Sequence, residues 1–169
     1  MRLRLALAAT ALIQFGAGTT FAQAPPTQVK FYGTPAAIIS AGVVIPANRT
    51  TVWISGTTPP VAKPDAPAGT HERFGDTRTQ AAGILKAVET QLMALGLTMK
   101  DVVYLRAYLV PDATKDGKID VAGWNASYSE VFGTAAIPTK PARSTVGVVA
   151  LVNGDWLIEI EAFAAFPAP

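Results

Sequence analysis

Two short segments near the C-terminal end of the chain carry the residue types that can do chemistry. "TKPARSTVGVV" (139–149), which follows Pro138, sets one arginine, Arg143, between Pro141 and an apolar run, and "WLIEIEAF" (156–163) interrupts a second apolar run with Glu159 and Glu161. Charged groups inside such runs are either paired or used. A guanidinium presented where a strand begins can grip a carboxylate through two parallel hydrogen bonds, which a lysine cannot copy. Glu159 and Glu161 share one face of a strand by its two-residue period. Two carboxylates packed together would push one towards its protonated form and make it a candidate acid/base. The competing reading is structural, an ion pair of Arg143 or Arg106 with these glutamates. Spacing leaves open which glutamate acts.

Other candidates are weaker. "DATKDGKID" (112–120) begins like a calcium loop at Asp112, Asp116 and Gly117, but Gly123 stands where the bidentate glutamate belongs. It reads as a turn that starts a helix. The chain has one histidine, His71, in a loop, and no cysteine, so thiolate chemistry, disulfides and Cys-based metal sites are ruled out. Neither a Gly-x-Ser-x-Gly elbow nor a phosphate-cradling glycine loop occurs.

These residues need a scaffold, and periodicity supplies one. Residues 36–45 read as a strand pair or a strand bent at Gly42, and "TTVWIS" as a strand ending at Gly56. Residues 57–75 form a long proline-rich loop. Asp76 caps a helix whose apolar stripe is Ala81, Ile84, Leu85, Val88, Leu92 and Leu95, stopped by Gly96. "DVVYLRAYLV" (101–110) alternates, with Val103, Leu105, Ala107 and Leu109 on one face and Tyr104, Arg106 and Tyr108 on the other. A second helix runs from Ile119 to Phe132, with Val121, Trp124, Tyr128, Val131 and Phe132 on its apolar side. Residues 144–151 and 156–166 are closing strands, read as a hairpin through the Asn-Gly of "VNGD". The order predicts an α+β fold, a mixed sheet with two helices on one face. The other face carries Tyr104, Arg106, Tyr108, Glu159 and Glu161. That is too aromatic for bare solvent and too charged for a sealed core, and an oligomer interface accounts for both.

The N-terminus adds a compartment. Two arginines within Met1–Arg4, the apolar run Leu5–Ile13 and the stretch "TTFAQAPP" (19–26) form a Sec-type signal peptide rather than an anchor. Cleavage is placed after Ala22, with Ala24 the second choice. The expected organisation is a signal peptide (1–22), an irregular segment (23–34) and one domain (35–169). The leader takes two of the 14 basic residues and none of the 12 acidic ones, so the mature chain is formally neutral. A neutral domain lacks the footprint of a nucleic-acid binder. The expected location is periplasmic or secreted, with no membrane association once the leader is gone.

"PARSTVGV" followed by "LIEIEAFAA", with "WNASYSEVFG" upstream and "WISG" further back, resembles the RidA (YjgF-type) reactive-intermediate deaminase family, also known by the older name endoribonuclease L-PSP. The resemblance spans roughly residues 35–166. It implies a chorismate-mutase-like (YjgF-type) fold and a homotrimer packed through its sheet faces, with clefts between subunits. The implied activity is hydrolysis of imines and enamines of 2-oxo acids, releasing ammonia without metal or cofactor. By the same resemblance, Arg143 holds the substrate carboxylate and Glu159 positions or deprotonates the attacking water. Asn125, Ser55 and Gly56 line the site, and Thr145 offers backbone groups to the substrate. One departure is visible: where the family has Gly-Pro-Tyr before its first hairpin, this chain has "AAIISAGVV", and Ala41 stands near the tyrosine's place. A non-catalytic trimeric small-ligand-binding or holdase-like protein of the same fold is the alternative that this departure motivates.

Export is directly testable. Intact-mass measurement of protein recovered outside the cytoplasm should show the chain starting at Gln23. A mature species that retains Met1–Phe21 would contradict the leader.

Overall fold

The computed structural model describes residues 24–168, so the junction after Ala22 lies outside the described residues. A two-stranded ribbon, β1 (Lys30–Tyr32) and β2 (Gly42–Val44), precedes the main sheet. The main sheet is built from β3 (Thr51–Thr57), β4 (Val102–Leu109), β5 (Ala142–Gly147) and β6 (Ile158–Ala165). Helix α1 (Thr77–Ala94) lies between β3 and β4 in sequence, and α2 (Val121–Val131) between β4 and β5. The strand order is β3-β6-β4-β5; β6 runs antiparallel to both neighbours, and β4 and β5 are parallel. This is the mixed α+β sheet with two helices that the periodicity predicts.

The alternation of β4 and β6 decides which face is covered. Leu105, Ala107 and Leu109 on β4, and Ile158, Ile160, Ala162 and Ala164 on β6, are fully buried. They pack under Ala81, Ile84, Leu85, Val88 and Leu92 of α1 and under Trp124 and Tyr128 of α2. The intervening residues Tyr104, Arg106, Tyr108, Glu159 and Glu161 are only half-buried, on the opposite face. Apolar transfer drives the first set inwards, and the two-residue pleat obliges the second set to point away. Among the described residues, no helix is long and apolar enough to cross a membrane.

Several expectations need correction. The closing strands do not form a hairpin, because β4 lies between β5 and β6. Asn153 does make a turn, its side chain accepting from Asp155 N at 2.9 Å, but that turn sits in the crossover that carries the chain past the end of β4. Parallel pairing with β4 holds β5 away from β6 and starts it at Ala142, two residues early. The segment 23–34 is not wholly irregular: Lys30–Tyr32 pairs with Gly42–Val44, a three-residue strand too short to show a period. On α1, Leu95 is exposed and Leu97 takes its place in the core. Gly96 (φ +74°) turns the chain there, and Leu97 N donates back to Leu92 O at 2.9 Å. Val121, in the first turn of α2, is also exposed.

A buried amide anchors the crossover. Gln80, on the first turn of α1, donates to Gly75 O (3.0 Å) and Asp155 O (3.2 Å) and accepts from Leu157 N (2.7 Å). Both its amide hydrogens and its carbonyl oxygen therefore have partners, as burial demands.

Asp76 caps α1 as predicted, accepting from Thr79 N at 2.8 Å. Its hydrogen bonds to Thr79 hold the carboxyl below its ordinary value of 3.8. Asp76→Ala should cost about 1 kcal/mol in denaturant unfolding at neutral pH. Because the folded-state value is depressed, that contribution is complete above about 3.8 and vanishes as the pH falls through the lower folded value. The gap between wild type and Asp76→Ala should therefore close in acid, whereas Asp76→Asn should hold a pH-independent cap.

Candidate functional site

Arg143 pairs with Leu105 across the parallel ladder, so its side chain leaves β5 on the helix-covered face. There it meets α2. The guanidinium carbon lies 4.7 Å from the Tyr128 ring centroid and 5.1 Å from that of Trp124. Nη2 donates to Asn125 Oδ1 at 2.6 Å. Trp124 and Tyr128 stand one helical turn apart and meet edge to face, with centroids 5.7 Å apart. Each ring is fixed at its polar end: Trp124 Nε1 donates to Thr145 Oγ1 at 3.2 Å, and Tyr128 Oη reaches Pro141 O at 3.4 Å. Thr145 pairs with Ala107 and so shares Arg143's side of β5.

This setting is dry. Burial pushes the Arg143 guanidinium below its ordinary value, partly opposed by Tyr128, and burial pushes the Tyr128 phenol up. Nη1 is buried without a hydrogen-bond partner among the described residues. A half-buried cation with two aromatic faces, one amide bond and a spare N–H edge is prepared for an anion.

A second group gathers on the open face. The ladder between β3 and β6 slips between Ile54 and Thr57, which leaves Ser55 and Gly56 in a bulge. Glu159 pairs with Tyr108 and points to this side. A Cβ on Gly56 would collide with the Glu159 carboxylate, so the absent side chain is what lets Glu159 lie across β3. Ser55 is exposed and borders a hollow of about 560 Å³ on the open face, together with Trp53, Tyr104, Arg106 and Phe163.

The two glutamates are not equivalent. Arg106 Nη1 donates to Glu161 Oε2 at 3.1 Å and Tyr108 Oη to Glu161 Oε1 at 3.3 Å. Glu159 has no ion pair among the described residues. Of the ion pairs weighed from sequence, the one between Arg106 and Glu161 exists. Arg143 pairs with neither glutamate.

With this geometry in place, comparison with known proteins is decisive. Residues 35–166 match the family described as Endoribonuclease L-PSP. The chain belongs to the Rid/YjgF/L-PSP family. It is 39% identical over 90 residues to a RutC family protein of Pyrococcus horikoshii, and 38% to one of Pyrococcus abyssi. Those matches cover 53% of this chain and 63% and 62% of the two relatives, so the chain spans under two thirds of their length. Among solved structures, a Rid family protein of unknown function from Yersinia pestis superposes with a TM-score of 0.61 at 25% identity, covering 82% of this chain and 99% of that one. E. coli TdcF with bound serine superposes at 0.52 with 26% identity, covering 81% and 98%.

Within this Rid chain the predicted site residues divide into two groups. Arg143, Asn125 and Thr145 meet on the helix-covered side of β5. Gly56 and Glu159 meet on the open side of β6 and β3, with Ser55 beside Gly56 in the bulge. One copy does not bring the groups together, because residues 143 and 159 leave the sheet through opposite faces. Ala41 lines a pocket of about 390 Å³ with Arg143, Tyr104 and Ile39, which places the family departure beside the arginine. Sequence reading assigned Trp124 and Tyr128 to the core and missed their second role as a platform for Arg143. The available signal was two aromatics at i and i+4 around Asn125, the spacing that lets two rings share one cation.

The contact between Gly56 and Glu159 can be measured by a double-mutant cycle. Gly56→Ala should push aside the movable carboxylate end of Glu159 in the wild-type chain and cost less in a Glu159→Ala background, with a coupling of about 0.5 kcal/mol in denaturant unfolding. Equal effects in both backgrounds would show that the glutamate does not occupy the space above Gly56.

Proposed function

We propose that the protein is an exported, cofactor-independent deaminase that hydrolyses imines and enamines of 2-oxo acids, with each site shared by two copies of the chain. The supporting observation is the division just described: a desolvated guanidinium with a spare N–H on one face, and an ion-pair-free glutamate on the other. Joining the Arg143 side of one copy to the Glu159 side of the next is a head-to-tail contact, which forms a ring when the rotation between copies closes. The homotrimer implied by the family resemblance is such a ring. The aromatic hollow on the open face supplies apolar area for the contact, since Trp53 is 74% exposed there. The bound serine of the similar TdcF structure is a small carboxylate, the class of ligand this arginine suits.

In this mechanism Arg143 anchors the carboxylate, while Asn125 holds the guanidinium at its angle against Trp124 and Tyr128. Backbone groups at Thr145 take the other side of the substrate, and Ser55 and Gly56 frame the glutamate. Glu159 of the neighbouring copy orients water and accepts its proton as the oxygen bonds to the imine carbon. The proton then passes to the nitrogen. The added hydroxyl then gives up its proton, which Glu159 passes to the nitrogen, and collapse of the tetrahedral intermediate breaks the C–N bond, forms the carbonyl and releases ammonia. The reaction consumes one water and needs no redox step.

Ammonia release from freshly generated imino acids tests this reading. Arg143→Lys should lose roughly tenfold to a hundredfold, because one charge-assisted hydrogen bond goes with the planar fork. Glu159→Gln should lower turnover more than binding, and Glu161→Gln should stay close to wild type. Co-expressing the Arg143→Lys and Glu159→Gln chains should restore activity at about one site in four, since a shared site takes its arginine and its glutamate from different copies. Failure to complement removes the shared site. Carboxylate binding without ammonia release would favour the small-ligand-binding alternative.

A further inference from the structure

Thr145 enters the mechanism above only through its backbone, yet its side chain has a place of its own beside Arg143. The two residues stand two apart on β5, and the parallel ladder sets them against Leu105 and Ala107 of β4. Both side chains therefore leave through the helix-covered face. Trp124 of α2 meets each of them there. Its ring centroid lies 5.1 Å from the Arg143 guanidinium carbon, and its Nε1 donates to Thr145 Oγ1 at 3.2 Å. Trp124 is fully buried and Thr145 half-buried.

The direction of that hydrogen bond fixes what the hydroxyl can still do. An indole N–H only donates, so Thr145 Oγ1 must accept, and its own proton is left to point elsewhere. Among the described residues that proton has no acceptor. The neighbours across the ladder, Leu105 and Ala107, are apolar, and Asn125 Oδ1 receives Arg143 Nη2. Arg143 Nη1 is likewise without a partner. Satisfying Trp124 alone needs no hydroxyl, since an amide or backbone oxygen accepts from an indole equally well. Two unmatched donors on one strand face are suited to an anion. Residues two apart on a strand stand about 7 Å apart, a gap that one carboxylate closes with a hydrogen bond at each oxygen.

We propose that the Thr145 hydroxyl is a second substrate donor beside Arg143, and that Trp124 is the positioning residue that aims it: the indole N–H occupies a lone pair of the hydroxyl and turns its proton towards the substrate carboxylate. The inference rests on the reading of Arg143 as the carboxylate anchor. The guanidinium takes one carboxylate oxygen and the hydroxyl the other. A carboxamide offers one oxygen and an amino group, whose hydrogens would meet a donor. The pair therefore selects 2-imino and 2-oxo acids over their amides, because a buried donor facing another donor is left unpaired.

Titration calorimetry of the mature protein with pyruvate and with pyruvamide tests this. Wild type should bind pyruvate more tightly than the amide. Thr145→Val keeps the shape and removes the hydroxyl, and it should weaken pyruvate about tenfold while moving pyruvamide much less. Thr145→Ser should recover the loss. Trp124→Phe keeps a ring against Arg143 and removes the N–H. It should weaken pyruvate severalfold more in the wild-type chain than in a Thr145→Val background. The double variant removes both partners of the bond, leaves no indole N–H unmatched, and should also bind pyruvate about tenfold more weakly, which covers a Thr145→Val chain that does not fold. Unchanged pyruvate affinity on loss of the hydroxyl, an equal loss on both ligands, or equal effects of Trp124→Phe in both backgrounds overturns the inference. The Arg143 reading then still stands if Arg143→Lys weakens pyruvate. A wild type that does not bind pyruvate, or an Arg143→Lys chain that binds it as tightly as wild type, overturns both.

Discussion

The alternation of β4 is the constraint to which the other elements answer. Leu105, Ala107 and Leu109 must be covered, and α1 and α2 cover them; Tyr104, Arg106 and Tyr108 are thereby committed to the opposite side. β5 pairs with β4 in parallel and β6 in antiparallel register, so both neighbours inherit this assignment residue by residue. Arg143 falls opposite Leu105 and is carried under α2, while Glu159 falls opposite Tyr108 and is carried outward. A slip of one residue in either ladder would exchange the faces and dissolve both groups.

The two arginines of the sheet show how differently one side chain can be used. Arg106 stands on the open face with Glu161 and two tyrosines, where solvent still screens the pair and the contribution to stability is small. Arg143 has lost much of its water and received two aromatic faces and one amide in return. Such a site is poorly balanced by itself, since an N–H remains unmatched. An arrangement that stabilised the fold alone would have placed a carboxylate there. On the reading proposed above, the anion that completes it is the substrate's carboxylate.

Much of this was legible in the residues. The β4 pattern is regular from Tyr104 to Leu109, so those faces could be assigned and the open face was read correctly as aromatic and charged; Val103, expected beside Leu105, falls instead in a bulge, and Val102 takes the place in the core. Asp76 announced the start of α1 by its chemistry, and Gly96 announced its end. What stayed hidden was of two kinds. Pairing was one: "VNGD" carries a hairpin signal, but nothing in it records that β4 lies between the strands it seems to join. The other was facing. Arg143 and Glu159 look like partners along the chain, and only the ladder registers reveal that they leave by opposite sides.

The bulge at Ser55 and Gly56 has a consequence beyond the seat it makes for Glu159. β3 is an edge strand, and a flat edge with an exposed tryptophan is a template on which a stray strand can add. Slipping the ladder between Ile54 and Thr57 bends that edge and breaks the even spacing of its free backbone groups. A chain that must pass through an unfolded state among many identical copies gains from an edge that such copies cannot extend. The irregularity that opens the strand for a carboxylate also closes it to fibril growth.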